Sequence, residues 1–583
     1  MKHVPLVALT LLISNAAFPA PQSSRKAPSR HNTTSAQLEE MAEELHALRA
    51  MVVQQQQRID NLSQQLQQHD ASLSEVQTTA TGAANTATSA QKLATENSSQ
   101  YTALNDQVAS LSSNVTATST AVNSSVKKLQ DSIESPVALH YKGVTITPGG
   151  FLAAESVYHS RGLLSDVNTP FNAIPFSGSG QSRLSDWYGS GRQSRVTLLV
   201  EGKIKSATLR GYFETDWLSA GTTSNNNLSN SYTNRQRQLF AQAAFNNGWT
   251  FTGGQMWSLV AETKKGTDNR TEATPLTIDP MFSIGFTWAR QFGFRAQKNF
   301  ANHVWLALSV ENAQTLVSAS GNAANFVVGG PGNGAGLYNP TANYSLNYTP
   351  DFIAKVAFEP GFGHYEVFGI VRNFRDRIYP NAGATTPSAA GASNDTLTGG
   401  GIGANGRITL AKKVDLGLHV FGGNGVGRYG SGNLTDVTVR PDGSLVLLQS
   451  LQALGTLEVH TKKWDWYFNG GGEFVGHSWA LNAAGKAVGY GSPLFDNSGC
   501  AIETVPTAAT GYAPGAPARC VGQTRNLLEG IAGFWYKPYN GPKGRIQFGP
   551  QYSYLVRNTW AGLGGQPHSI ENMIFTSFRY YIP

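Results

Sequence analysis

The chain has 583 residues, a formal net charge of +7 and a pI near 9.1; 14% of its residues are charged and 62 are glycine. So few charges suit the surface of a large soluble protein poorly, and the glycine content fits a sheet with many turns. Mean hydropathy is −0.25, and beyond the first twenty residues no run approaches the roughly 18–20 apolar residues of a membrane-spanning helix.

The chain opens MKHVPLVALTLLISNAAFPA. Lys2, the apolar run Val4–Ile13 and the small residues Ser14, Ala16 and Ala17 form a secretory signal, 1–17, with cleavage after Ala16 or Ala17. No cysteine lies near that point, so a lipid anchor is not expected. Export argues against the nucleic-acid partner that a basic pI otherwise suggests. It also implies an oxidising compartment, in which Cys500 and Cys520 of the Gly/Pro/Ala-rich stretch 476–521 are expected to pair.

After a linker, 18–37, a heptad repeat begins at Leu38. Its a positions are Leu38, Leu45, Val52, Ile59, Leu66, Leu73, Ala80, Ala87, Ala94, Tyr101, Val108, Val115, Val122 and Leu129, all apolar. The d positions Met41, Leu48, Gln55, Leu62, His69 and Val76 begin well and then weaken; Gly82 interrupts an Ala/Thr-rich middle. A seam this narrow needs partner helices, so 38–132 is expected to be a coiled-coil stalk, about 140 Å long if straight. Gln55 and His69 are candidates to set its register. His69 has no second ligand beside it, and no Cys/His spacing anywhere implies a metal; no cofactor is expected.

From 137 to 583 the period becomes two. Sixteen strands are expected near 149–158, 194–203, 206–217, 235–245, 249–260, 283–296, 301–311, 350–359, 363–375, 397–411, 413–422, 448–461, 463–474, 522–536, 544–557 and 571–582. Tight turns alternate with long connections, so one end of the sheet is trimmed and the other elaborated. The expected fold is an all-β transmembrane barrel of 16 antiparallel strands preceded by an α-helical coiled-coil stalk. It belongs in the outer membrane of a Gram-negative-type bacterium, against lipid and lipopolysaccharide, with stalk and termini in the periplasm and peptidoglycan a candidate contact.

Side-chain alternation assigns the faces. In LRGYFETDW (209–217), Leu209, Phe213 and Trp217 face lipid while Arg210, Tyr212, Glu214 and Asp216 face water. Phe352, Ala354, Val356 and Phe358 flank Lys355; Val414, Leu416, Leu418 and Val420 flank Asp415 and His419; Trp464, Trp466 and Phe468 flank Asp465 and Tyr467; Ile546, Phe548, Tyr552 and Tyr554 flank Gln547 and Gln551. Trp249, Trp257, Trp288 and Trp305 near strand ends suit interfacial girdles. RQRQLFAQ (235–242) and VFGIVRNFR (367–375) leave the phase open between a bulge and a subunit interface.

Several stretches resemble DcaP-like outer-membrane porins and, more distantly, general trimeric porins: SRVTLLVEGK (194–203), LRGYFETDW (209–217), RQRQLFAQ (235–242), GGQMWSL (253–259) and RQFGFRAQ (290–297). The resemblance implies a sixteen-stranded homotrimer with a periplasmic coiled coil and passive uptake of small anions such as dicarboxylates. It carries over basic strand positions at Arg195, Arg210, Arg237 and Arg295. The chain departs from porins in ending Tyr581-Ile582-Pro583 rather than on an aromatic, and in placing Leu199 where a polar lumen residue is usual.

The resemblance also implies that the third long loop, read here as 261–282, folds into the barrel. There Lys264, Lys265 and Arg270 oppose Asp268, Glu272 and Asp279, which would set a transverse field across the pore. Residues 1–136 hold 9 Lys+Arg and 11 Asp+Glu, so of the totals 44 and 37 the remainder carries 35 and 26, a net +9. With Arg195, Arg210, Arg295 and Lys355 turned inward, this balance favours anions. GIGANG (401–406) lacks the helix a dinucleotide site needs, and His477-Ser478 lacks a nucleophile elbow, so no enzyme is expected. A peptidoglycan tether and a loop-mediated adhesin or receptor are the alternatives to a pore, and both would pass no ions.

Overall fold

The structure is a computed structural model. It describes residues 48, 51–55, 57, 73–134, 138–219, 232–321, 325–332, 342–383, 385–505 and 517–583, omitting the side chains of 73–81, 83–85 and 128–134. The signal sequence, the linker and most heptads before Leu73 lie outside the described residues. The chain divides into two units at 129/130.

In the first unit, α1 (Leu73–Glu134) is one 62-residue helix. Gly82 does not break it: the Thr86 hydroxyl donates to the Gly82 carbonyl, and Thr95, Thr102, Thr116 and Thr120 bond back to the preceding turn in the same way. Such bonds satisfy hydroxyls in a Thr-rich helix without recruiting tertiary partners. Tyr101, Leu104, Val108, Leu111, Val115 and Val122 are each more than half exposed. They are a and d positions of the same heptad, so the d seam resumes at Leu104 and Leu111 after its weak middle and lapses again at Thr118.

The second unit is built on sixteen antiparallel strands: β1 (Val144–His159), β2 (Arg195–Ile204), β3 (Ala207–Ser219), β4 (Thr233–Phe245), β5 (Trp249–Trp257), β6 (Arg290–Phe300), β7 (Val304–Glu311), β8 (Asp351–Phe358), β9 (His364–Ile378), β10 (Ser393–Leu410), β11 (Val414–Asn424), β12 (Gln449–His460), β13 (Trp464–Val475), β14 (Thr524–Gly541), β15 (Gly544–Thr559) and β16 (His568–Tyr581). Each pairs with the next. β1 closes the cylinder by pairing with β2 over Val144–Phe151 and with β16 over Phe151–His159. Closure leaves no edge, which a bilayer requires because lipid cannot satisfy unpaired peptide groups. Short turns and long loops alternate throughout, and both ends of the barrel sequence lie on the short-turn side.

The polarity is inverted relative to a soluble core. Leu209, Phe352, Leu418, Phe468, Phe548 and Ile574 are exposed outside, while Glu214, Arg237, Lys355, Arg372, His419, Gln551 and Arg579 are buried within. At the short-turn end Trp464, Trp466, Phe534, Tyr536 and Phe548 form a continuous outer aromatic group with centroids 4.5–5.4 Å apart, and Trp249 stacks on Phe251. The girdle expectation fails for three tryptophans. Trp257 and Trp305 are only 3% and 2% exposed, and Trp288 packs against the interior. Position at a strand end does not set which face a residue takes; Trp305 alternates with outward Leu306 and Leu308 and so points in.

Both open phases resolve. Glu214 pairs with Gln238 but Thr215 pairs with Gln236. Arg237 is therefore the extra residue of a bulge, which turns it inward beside Gln238. In β9, Glu366, Phe368, Ile370, Arg372, Phe374 and Asp376 face inward. The apolar members of that face cover loops inside the barrel, which blurs the alternation. Leu199 is also internal, packed with Tyr212, Phe240 and Met256.

If the exposed outer face meets lipid, Phe468→Arg at mid-strand should lower stability in vesicles by about 2–4 kcal/mol. Chemical denaturation of vesicle-folded protein measures this; a near-zero change would show that the face meets water.

A lumen narrowed by its third loop

The third long loop, L3, spans 258–289. It is seven residues longer at its C-terminal end than its pattern suggests. Residues 283–289 read as strand because Ile284, Phe286 and Trp288 alternate with smaller or polar residues, but Ile284 and Phe286 are buried inside the barrel.

A loop in a lumen has little water for its peptide groups, so the wall must supply partners. The first half of L3 is held by Glu311, which accepts from Leu259 N (2.8 Å), by Glu366, which accepts from Thr263 N (3.0 Å), and by Glu359, which accepts from Gly266 N (2.7 Å). Lys355 donates to the Ala261 carbonyl at 2.7 Å and to Glu366 at 2.8 Å. Gly266, at φ +54°, lies flat against the Trp305 indole, where a Cβ would come within 2.6 Å of the ring; only glycine fits. The second half crosses the lumen. Leu276 N donates to Glu458 (3.1 Å), Ile278 N to Gln551 (2.6 Å), Ile284 N to Glu529 (2.9 Å) and Gly285 N to Glu473 (2.9 Å). Segments of the first, sixth and seventh long loops, L1 (160–194), L6 (425–448) and L7 (476–523), join it in one internal apolar cluster that includes Phe171, Ile174, Ile278, Met281, Ile284, Leu434, Tyr490 and Trp535.

What stays open beside L3 is a cavity of about 460 Å³. The wall contributes Arg195, Tyr212, Glu214, Arg237, Asp465, Arg545 and Arg579, and L3 contributes Arg270, Glu272 and Asp279. Five guanidiniums thus face four carboxylates. Arg237 is clamped by Glu214 (2.5 Å) and Asp216 (2.8 Å), and Arg195 lies 3.7 Å from Glu214. Arg579 pairs with Glu155 at 2.7 Å over the Phe151 and Trp535 rings, Arg545 lies 3.9 Å from the Tyr581 ring centroid, and Arg270 covers Tyr212. The Nε atoms of Arg195 and Arg545 have no hydrogen-bond partner. Burial raises the pKa of the Asp279 and Glu272 carboxyls on L3, which weakens the acidic side.

Of the residues singled out in the sequence, Arg195, Tyr212, Glu214, Arg237, Arg270, Glu272 and Asp279 therefore converge. The others take different places. Arg210 pairs with Glu201 at 2.7 Å. Asp216 is buried beneath Arg235 and Arg237. Arg295 donates to the Trp257 carbonyl behind L3, and Lys355 is buried under it. Lys264 and Lys265 are exposed, and Asp268 accepts from Gln297. Inward orientation alone did not place Arg295 and Lys355 on the path, because L3 covers them. Arg545 and Arg579 are not among the sequence candidates, although alternation signals them: Arg545 shares a face with Gln547, and Arg579 lies between outward Phe578 and Tyr580. Cys500 and Cys520 are disulfide-bonded in L7.

No protein-family model and no curated protein matches the chain. Solved structures do. The outer membrane channel DcaP of Acinetobacter baumannii aligns over 76% of this chain and 99% of its own at 14% identity, with a TM-score of 0.51. The anion-selective porin from Comamonas acidovorans aligns over 75% and 100% at 10% identity, TM-score 0.39. OprB of Pseudomonas putida aligns over 75% and 94% at 11%, TM-score 0.39. The expected DcaP-like architecture is thus the one found: a closed sixteen-stranded barrel with the fold of the DcaP channel.

Proposed function

We propose that this protein is an outer-membrane diffusion pore that favours small anions, dicarboxylates among them. The observation that carries this reading is the convergence of Arg195, Arg237, Arg270, Arg545 and Arg579 on one cavity between the wall and L3. Basic rings raise the local concentration of anions, and weak, multiple contacts let them leave again. Cation–π and carboxylate contacts hold these guanidiniums in place, so little reorganisation is needed when an anion passes. A dicarboxylate can engage two of these guanidiniums at once, and the aromatic rings beside them (Phe151, Tyr212, Trp535, Tyr581) add apolar surface for a carbon skeleton. The exposed a/d stripe of α1 supports self-association through that helix, and a periplasmic place for it belongs to the same reading.

Planar-bilayer recordings under a salt gradient test the selectivity. The pore should prefer chloride over potassium, and Arg545→Ala should lower that preference roughly two- to fivefold; a cation-preferring wild type would overturn the reading, and a barrel that passes no current would favour a tether or adhesin. Glu473→Ala removes the acceptor shared by Gly285 and Gly432. It should loosen L3 and raise single-channel conductance or its fluctuations, with the barrel still folded as judged by heat-modifiable gel migration.

A further inference from the structure

Beside the arginine-lined cavity, which Asp465 also lines, the short-turn end of β11–β13 brings four titratable side chains together. Asp415 pairs directly with Glu458, and His460 with Asp465; Glu458 and His460, two apart on one strand, share a face. His460 Nε2 lies 3.3 Å from Asp415 Oδ2 and 3.4 Å from Glu458 Oε2. Three such donors around a tetrahedral zinc, with bonds of about 2.0–2.2 Å, would stand about 3.3–3.5 Å apart. The two distances from His460 Nε2 therefore match those between bound ligands, and all three ligand atoms lie within 4.8 Å of one another.

The surroundings are those of an oriented ligand set. His460 Nδ1 lies 3.0 Å from Asp465 Oδ1, and Lys537 Nζ donates to that same oxygen at 2.7 Å. With the imidazole proton on Nδ1, Asp465 Oδ1 accepts from it and the Nε2 lone pair faces Asp415 and Glu458, the carboxylate–histidine arrangement that fixes imidazoles at metal centres. The Glu458 side chain is 8% exposed. Its Oε1 is occupied by Leu276 N of L3, which aims Oε2 into the cluster. Asp415 Oδ1 is buried without a hydrogen-bond partner. With a neutral imidazole, Asp415, Glu458 and Asp465 against Lys537 leave two negative charges, which match a dication. The facing cation, Arg407, is already paired with Glu262 at 3.0 Å. Among the described residues this is the group of histidine and carboxylates whose ligand atoms converge within 4.8 Å.

We propose that Asp415, Glu458 and His460 bind a divalent late first-row transition ion, zinc in the first instance, with solvent completing its shell. One imidazole and two carboxylates suit zinc, whereas calcium takes six to eight oxygens. Because Asp465 also lines the cavity, a bound ion adds positive charge beside the solute path. Binding itself depends only on strand register, so it stands or falls separately from the anion preference.

The test is equilibrium dialysis of the full chain in detergent with zinc, with cobalt as a spectroscopic substitute. The expected result is one zinc per chain and the visible absorption of four-coordinate cobalt. His460→Gln and Asp415→Asn should each weaken binding more than about a hundredfold, and Asp465→Asn about ten- to a hundredfold. Equal zinc uptake by wild type and His460→Gln, or calcium binding as tight as zinc, would overturn the proposal. So would no uptake at all, which would mean that His460 is simply an imidazolium paired with its carboxylates. Heat-modifiable migration confirms that each variant is folded, and Glu458→Gln, which keeps an acceptor for Leu276 N, provides a second ligand variant.

Discussion

A peptide segment inside a pore has to find hydrogen-bond acceptors for its N–H groups, and here the wall provides them as side chains. Glu311, Glu366, Glu458, Glu473, Glu529 and Gln551 come from six different strands, and each accepts from a backbone nitrogen of L3. Everything about the lumen depends on this row: it sets where L3 runs, which wall cations the loop covers and which remain open beside it.

The row also explains the division among the basic residues. Lys355 and Arg295 sit where L3 crosses close to the wall, so their charges are spent on the Ala261, Thr267 and Trp257 carbonyls and on Glu366. Arg195, Arg545 and Arg579 retain a face toward the cavity, although Arg579 also donates to the Ile278 carbonyl of L3 at 3.3 Å. Local sequence looks alike at both kinds of position. The difference comes from a segment remote in the chain.

For the same reason the fold was far more legible than the site. A period of two and the alternation of tight and long connections are local signals, and all sixteen strands overlap the spans those signals give, with the sixth starting at Arg290 rather than 283. The face of β8, β11, β13 and β15 was readable because one side meets a uniform outer medium. Inside, the medium is not uniform: Phe368, Ile370 and Phe374 point inward because loops supply an apolar neighbour, and a single inserted Arg237 reverses the phase of β4. Loop packing is not written in a strand's own periodicity, and a bulge shows there only as a broken phase that another cause could equally produce. Ile284 and Phe286 show the converse, with alternating residues that imitate a strand inside a loop.

Glu473 accepts from Gly285 in L3 and also from Gly432 in L6, the latter at 3.1 Å. One carboxylate is therefore a common fastening for two segments that approach it separately. Its oxygens cannot follow both if those segments move apart. The bore and the elaborated rim are mechanically joined at that point, so whatever grips the rim also tugs on the narrows.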